Sequence, residues 1–423
     1  PFISMLRGDV WWDFDFSAVS FALNSLLLTL LFLRFGEIFG EAILSRSLQK
    51  RNVCQLDKNS EYVWNFRHAL QIISLIFFIL TMSVYLMLQI EKLVFMQGRD
   101  YAEIYSSFRT TFPFYVETLA SMMKFALCFF LATMPSKRLA FLPLFVYWLS
   151  AVPALIIGQR SLIVLHTVFI FLYYIFRDIK GDAQCWLGKG EVVFLFACGV
   201  PVLFFLGAYN YIRDGVGVSL GLWDNIVDLF YKQGVSFDVL CMGYSALPDL
   251  PDVIPKNYTF GPFIDYFQHG SLAQILFGAE SLGSGNSEVI AIYGHSFADS
   301  LAYTIHPGYL SGHGYGSSYL LETFADWGYC GVICFSSILG MIFSSAYAFF
   351  CKNTFISALT LVCLLNLFYI PRASATSWLQ FLTTMQFWLA AIFCYITAGV
   401  CSRQYSFCQG KSLNYYKGAK SDV

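Results

Sequence analysis

Charge is what this sequence has least of. Only 13% of its 423 residues are Asp, Glu, Lys or Arg, about half the share of an ordinary soluble domain. The net charge of −1 supplies no field that would seek nucleic acid. With 57% hydrophobic and 19% aromatic residues the chain is not a disordered one either. Paired-cysteine motifs are also missing: none of the 12 cysteines forms a CxxC, which excludes a zinc ribbon and a thioredoxin-type redox motif. Cys128, Cys198, Cys334, Cys363 and Cys394 lie inside apolar runs, where they read as small buried hydrophobes. No P-loop, nucleophile elbow or HExxH occurs, so no cofactor and no metal is called for. The opening Pro1-Phe2-Ile3-Ser4-Met5 is not a signal peptide.

What fills the chain is apolar runs long enough to cross a lipid core of ~30 Å. They predict an all-α polytopic membrane protein with nine spans, near 16–35, 69–90, 113–133, 139–157, 161–176, 191–209, 327–350, 354–370 and 376–399. The fifth is short, and continues if Arg177 snorkels at its end. Lys and Arg crowd into the short loops at 46–67, 137–138, 177–189 and 352 and into the tail from Arg403, which sets those on the cytoplasmic side. The start at Pro1 then lies outside, an arrangement that implies a further span upstream. The expected division is a membrane domain of six spans over 1–209, a large periplasmic cap loop over 210–326, three spans over 327–400 and a cytoplasmic tail over 401–423. The loop is too polar and too rich in Gly and Pro to cross a membrane. Its amphipathic Leu222–Phe230 suits a helix lying on the interface.

Three arginines sit where a span meets the outer face: Arg160 in Gly158-Gln159-Arg160, Arg213 in Tyr211-Ile212-Arg213, and Arg372 in Ile370-Pro371-Arg372. A guanidinium is always charged and can hold phosphate through two parallel donors. Such arginines either snorkel at the headgroups or bind the pyrophosphate of a lipid-linked substrate. Arg160 and Arg372 occupy tight turns with no second basic residue beside them, which favours the second role. Within spans, Glu117, Lys124 and His166 read as internally satisfied groups. Asp13-Phe14-Asp15, near Asp9, is a weak candidate for metal-dependent transfer.

The richest segment runs from Gly294-His295-Ser296 through Gly312, His313, Gly314, Tyr315, Gly316, Ser317, Ser318 and Tyr319 to Glu322 and Gly328-Tyr329-Cys330-Gly331. Its glycines allow the backbone close to a ligand, and Ser317 or Ser318 can cap the helix that follows. His313 and Glu322 are the candidate bases for a sugar hydroxyl, the histidine being nearer neutral pKa.

With Gly158-Gln159-Arg160, the run from Gly312 to Glu322, Gly328–Gly331 and Pro371-Arg372, the chain resembles the Wzy-type O-antigen polysaccharide polymerases. The resemblance implies a GT-C-like transmembrane bundle in a bacterial inner membrane, with its active site facing the periplasm. Its partners would be undecaprenyl-pyrophosphate-linked oligosaccharide and membrane lipid, with a chain-length regulator protein as a further candidate. The growing glycan would pass to the end sugar of a new lipid-linked unit, releasing undecaprenyl pyrophosphate. In that scheme Arg160, Arg213 and Arg372 grip pyrophosphate and His313 or Glu322 serves the acceptor hydroxyl. An O-antigen ligase and a flippase or transporter of lipid-linked glycan are the alternatives.

Overall fold

In lipid every backbone N–H and C=O must find its partner within its own segment, so long apolar runs become helices. The computed structural model describes residues 14–51, 61–97, 108–157, 159–181, 185–190, 193, 235–283 and 285–418, and every regular element among them is helical. The first spans are carried by α1 (Phe16–Arg51), α2 (Glu61–Met96), the successive pair α3 (Phe114–Ser121) and α4 (Met123–Ala132), the pair α5 (Lys137–Leu149) and α6 (Val152–Ile157), and α7 (Arg160–Ile179). Five short helices follow in the long inter-span segment: α8 (Val235–Ala246), α9 (Gly261–His269), α10 (Ser271–Phe277), α11 (Glu288–Tyr293) and α12 (Phe297–Ile305). The chain then re-enters the bundle through α13 (Tyr319–Phe350), α14 (Thr354–Leu367) and α15 (Met385–Gly418).

Among the described residues seven segments are long and apolar enough to cross a membrane. The expected sixth span, 191–209, lies outside them apart from Val193, as does the amphipathic stretch at 222–230. Three expectations are corrected. The seventh span begins earlier, at Tyr319, because α13 continues through a kink at Trp327–Gly328, where Gly328 takes φ 62°. The eighth is only 14 residues, a rise of roughly 21 Å at ~1.5 Å per residue, too short to cross alone. The ninth begins at Met385, since 377–383 forms a 3-10 turn. The Trp378 indole donates to the Ala375 carbonyl (3.1 Å) and Trp388 to the Leu382 carbonyl (2.8 Å), which folds these aromatics back onto the turn.

Two packing centres hold the bundle. α1 lies along α13 with backbones nearly touching: a Cβ on Gly36 would overlap the Ser337 carbonyl, and one on Gly340 would overlap that of Leu33. Small residues permit this approach where lipid offers no hydrophobic drive for association. α2 packs on α4 and α15, and α14 packs on α4 and α7, around the rings of Phe125, Phe129, Phe381 and Phe387. His166 meets the Tyr147 carbonyl at 2.9 Å.

Arg177 does not snorkel. It is buried, donates to the Pro135 carbonyl (2.8 Å) and the Tyr173 hydroxyl (2.9 Å), and stacks 4.4 Å from the centre of Trp186. The open carbonyl at the turn before α5 and the face of the indole offer it a better site than the headgroups. This end of the bundle is closed by structure. The other end, where α13 begins, carries the inter-span segment.

Candidate functional site

Glu322 organises the site. It lies one turn into α13, whose start is capped by the Ser318 side chain accepting from the Leu320 amide. Only 1% of Glu322 is exposed, and a carboxylate so buried needs partners. It has three. The Ser317 hydroxyl donates to Oε1 (2.7 Å), and the Ser374 hydroxyl (2.9 Å) and the Ala375 amide (2.7 Å) donate to Oε2. Two of those donors belong to the turn that follows Arg372, so Glu322 fixes that turn from 52–53 residues upstream in sequence. Pro371 sets the backbone of the 3-10 turn Ile370–Arg372, closed by the Arg372 amide donating to the Tyr369 carbonyl (2.9 Å). The Arg372 side chain is exposed, and among the described residues no carboxylate pairs with its guanidinium.

The same region fastens the inter-span segment to the bundle. Asp326, just before the kink in α13, accepts the amides of Tyr258 (3.0 Å) and Thr259 (2.8 Å), and the Thr376 hydroxyl donates to the Thr259 carbonyl (2.8 Å). The loop held in this way leads directly into α9. Burial pushes the Lys256 ammonium down to about 8, although Asp265, Asp252 and Asp299 pull the other way. Its Nζ donates to the Ala291 carbonyl (2.6 Å) and the Ser300 hydroxyl (2.9 Å), which ties α11 to α12.

Between these parts lies a cavity of about 650 Å³. One wall is a helical face of α9, Pro262, Asp265, Tyr266 and His269, at spacings of three and four. Gly270, Ser271 and Gln274 extend it along α10, and Ser281–Gly283, Ile290, Ser296, Ala298 and Asp299 form the rim opposite. The floor comes from the bundle: Gly316, Ser317, Glu322, Arg372–Ser374 and Gln380. Asp299 Oδ1 accepts the Tyr309 hydroxyl (3.0 Å), whose own ionisation is pushed up by burial and by that carboxylate. Asp265 accepts three hydrogen bonds from His295: its amide to both oxygens (3.0 and 3.1 Å) and Nδ1–H to Oδ1 (2.9 Å). Among the described residues the cavity thus offers one cation without an internal partner, several carboxylates and a ring of hydroxyls. That combination suits an anion at one end and a polyhydroxylated ligand along the rest.

Of the residues singled out in the sequence, Arg372, Glu322, Gly316 and Ser317 converge on this cavity. Ser318 and Tyr319 are buried in the helix start, the Tyr319 hydroxyl reaching Thr29 of α1 at 3.4 Å. His313 is exposed, and its ring lies parallel to His306 at 5.5 Å instead of lining the cavity. Tyr315 packs against the same His306, and the loop from Gly312 through Gly314 is held by Asn286 donating to the His313 carbonyl (2.9 Å). Arg160 opens α7, but its side chain lies outside the described part of the chain, as do Arg213, Asp9 and Asp13. Sequence reasoning missed Asp265 and Thr376, and placed His295 and Asp326 in the richest segment without giving either a role. The signal for Asp265 was there in Pro262-Phe263-Ile264-Asp265-Tyr266-Phe267-Gln268-His269, whose polar residues share one helical face.

No curated protein and no solved structure matches the chain. The family model for O-antigen polysaccharide polymerase Wzy matches residues 1–405, a stretch that includes every span and the whole cavity. The chain therefore belongs to the O-antigen polysaccharide polymerase Wzy family, multi-pass membrane proteins of polysaccharide biosynthesis.

Proposed function

We propose that the cavity beneath the long segment is where this polymerase joins oligosaccharide repeat units carried on undecaprenyl pyrophosphate, at the periplasmic face of an inner membrane. The observation that carries the reading is Arg372: a guanidinium held by a fixed turn in a cavity wall, with no carboxylate partner among the described residues. The acceptor hydroxyl attacks the anomeric carbon of the donor glycan, and the bond from that carbon to the pyrophosphate oxygen breaks. Pyrophosphate is already a good leaving group, so the site must neutralise charge more than supply an acid. Fixed donors at the departing oxygens do this without reorganisation during the reaction. In this reading Arg160 and Arg213 complete the anion site, the GT-C type follows from the lipid-linked donor, and residues 210–326 act as a cap over the membrane domain. Glu322, with both oxygens already occupied, anchors the Arg372 turn.

The position of α10 supports a lipid-borne donor. Ser271 and Gln274 face the cavity, while Leu272, Ile275, Leu276 and Phe277 on the remaining faces are 53–82% exposed. A polar face on the cavity and an apolar face outside suit an element lying on the membrane surface. The test is reconstitution of the full chain with undecaprenyl-pyrophosphate-linked repeat units and no nucleotide. Glycans of increasing length are expected. The absence of any longer product sinks the reading, and transfer only to added lipid A core replaces it with a ligase.

A further inference from the structure

Three carboxylates line the cavity, and their surroundings divide the work among them. Glu322 is buried to 1% with three donors on its two oxygens. Asp299 takes the Tyr309 hydroxyl on Oδ1, while its own amide donates to Ser296 as part of a helix cap (3.3 Å). Asp265 differs from both. All its donors come from one residue on one side, the backbone amide and Nδ1–H of His295. Among the described residues Oδ2 receives only the shared amide, at 3.1 Å, which leaves lone pairs toward the cavity that Asp265 lines. The Asp265 side chain is 23% exposed and its histidine partner 6%. The carboxylate is open to the cavity while the imidazole stays in the wall.

The pairing is built into the backbone. A Cβ on Gly261, the first residue of α9, would overlap the His295 carbonyl. The start of α9 is therefore pressed against the His295 backbone, and one helical turn later Asp265 receives the amide of the same residue. His295 spans from the loop before α12 to α9 at the cavity edge.

We propose that Asp265 is the catalytic base that takes the proton of the acceptor sugar hydroxyl, and that His295 is its positioning residue. The proposal rests on the cavity being the polymerisation site. As the acceptor oxygen bonds to the anomeric carbon of the donor glycan, its proton passes to Oδ2 of Asp265. The electron pair of the breaking carbon–oxygen bond leaves with pyrophosphate toward Arg372, and Asp265 returns its proton to water when product departs. The Nδ1–H of His295 holds the carboxylate in one rotamer, an orienting role of the kind a third group plays in other acid–base sites. The other titratable groups facing this cavity are Tyr266, His269, Asp299, Glu322 and Arg372.

The experiment uses the reconstituted full chain with undecaprenyl-pyrophosphate-linked repeat units, reading kcat and KM. Asp265→Asn is expected to lower kcat by about 10²–10⁴, the range of positioned general-base catalysis, with KM within a few-fold of wild type. His295→Ala should lower kcat with KM little changed, because the carboxylate loses the side-chain donor that fixes its rotamer. His295→Asn, whose amide nitrogen can take the place of Nδ1, should restore most of that kcat. Wild-type kcat in Asp265→Asn, with Arg372→Ala inactive, overturns the base assignment and leaves the polymerisation site standing. Wild-type kcat in both overturns the site as well. If Asp265→Asn does not fold, wild-type kcat in a folded His295→Ala overturns the proposal on its own.

Discussion

Replacing Glu322 separates an anchoring carboxylate from a reacting one. Truncation to Ala removes three hydrogen bonds at once, from Ser317, Ser374 and Ala375. The Ser317 hydroxyl and the Ala375 amide are buried and would be left without an acceptor; Ser374 is half-buried and can turn to water. An orphaned buried donor costs about 1–3 kcal/mol, so two such donors set the loss near 4 kcal/mol, concentrated in the 370–376 turn. Glu322→Gln keeps the shape. Its carbonyl can accept the Ala375 amide and its NH₂ can donate to the Ser317 hydroxyl, leaving a deficit of about 1 kcal/mol for the weaker, uncharged bonds. If Arg372 stabilises the departing pyrophosphate, loosening its turn should forfeit most of the 10²–10³ that one such donor contributes. The assay pairs glycan ladder length with amide exchange at 370–376. Ala should shorten or abolish the ladder and speed exchange there, while Gln retains most of both. Two results refute the reasoning: a normal ladder in Ala, or a dead Gln variant with unchanged exchange, which would make Glu322 a reacting group.

The remaining predictions concern packing, membrane contact and pH. Gly340→Ala places a methyl against the Leu33 carbonyl; overpacking costs about 1–3 kcal/mol, and thermal unfolding in detergent should drop by several degrees, an unchanged Tm contradicting the close α1–α13 approach. Ile275→Asp with Phe277→Asp should raise KM for lipid-linked substrate while leaving kcat nearly intact; an unaltered KM would detach α10 from the membrane surface. The Lys256 ammonium is held down to about 8 by burial. The folded inter-span segment therefore binds fewer protons than the unfolded chain between about pH 8 and the free-lysine value of ~10.4, and its stability rises with pH across that window. Protease resistance of this segment should be greater at pH 9.5 than at pH 7.5, and Lys256→Met should flatten the difference.

The long spans were legible because lipid gives a backbone no alternative to the helix, and residues 16–35 and 69–90 lie within α1 and α2. The reading failed where composition and conformation part company. Residues 376–384 are apolar enough to belong to a span, yet the indoles of Trp378 and Trp388 find carbonyls inside a turn. Arg177 carries the mark of a snorkelling end, and only the tertiary fold supplies the Pro135 carbonyl and Trp186 face that draw it inward. The site divides along the same line. Arg372 and Glu322 stood out because a lone charge beside apolar spans is costly. Asp265 did not, since an aspartate on the polar face of a short amphipathic helix looks like any solvated residue until the fold brings His295, quoted in the richest segment but given no role, to it. The pairing of Asp326 with Tyr258 and Thr259 spans 67–68 residues of sequence and leaves no local pattern at all.

The most direct measurement for the account is release of undecaprenyl pyrophosphate by the purified chain, compared between wild type, Arg372→Lys and Arg372→Ala at equal protein levels. One equivalent should be released for each repeat unit added by wild type, and almost none by Arg372→Ala. Arg372→Lys should recover little, because a point charge does not reproduce the paired donors of a guanidinium. Release at the wild-type rate from Arg372→Ala would contradict the assignment of this cavity as the polymerisation site.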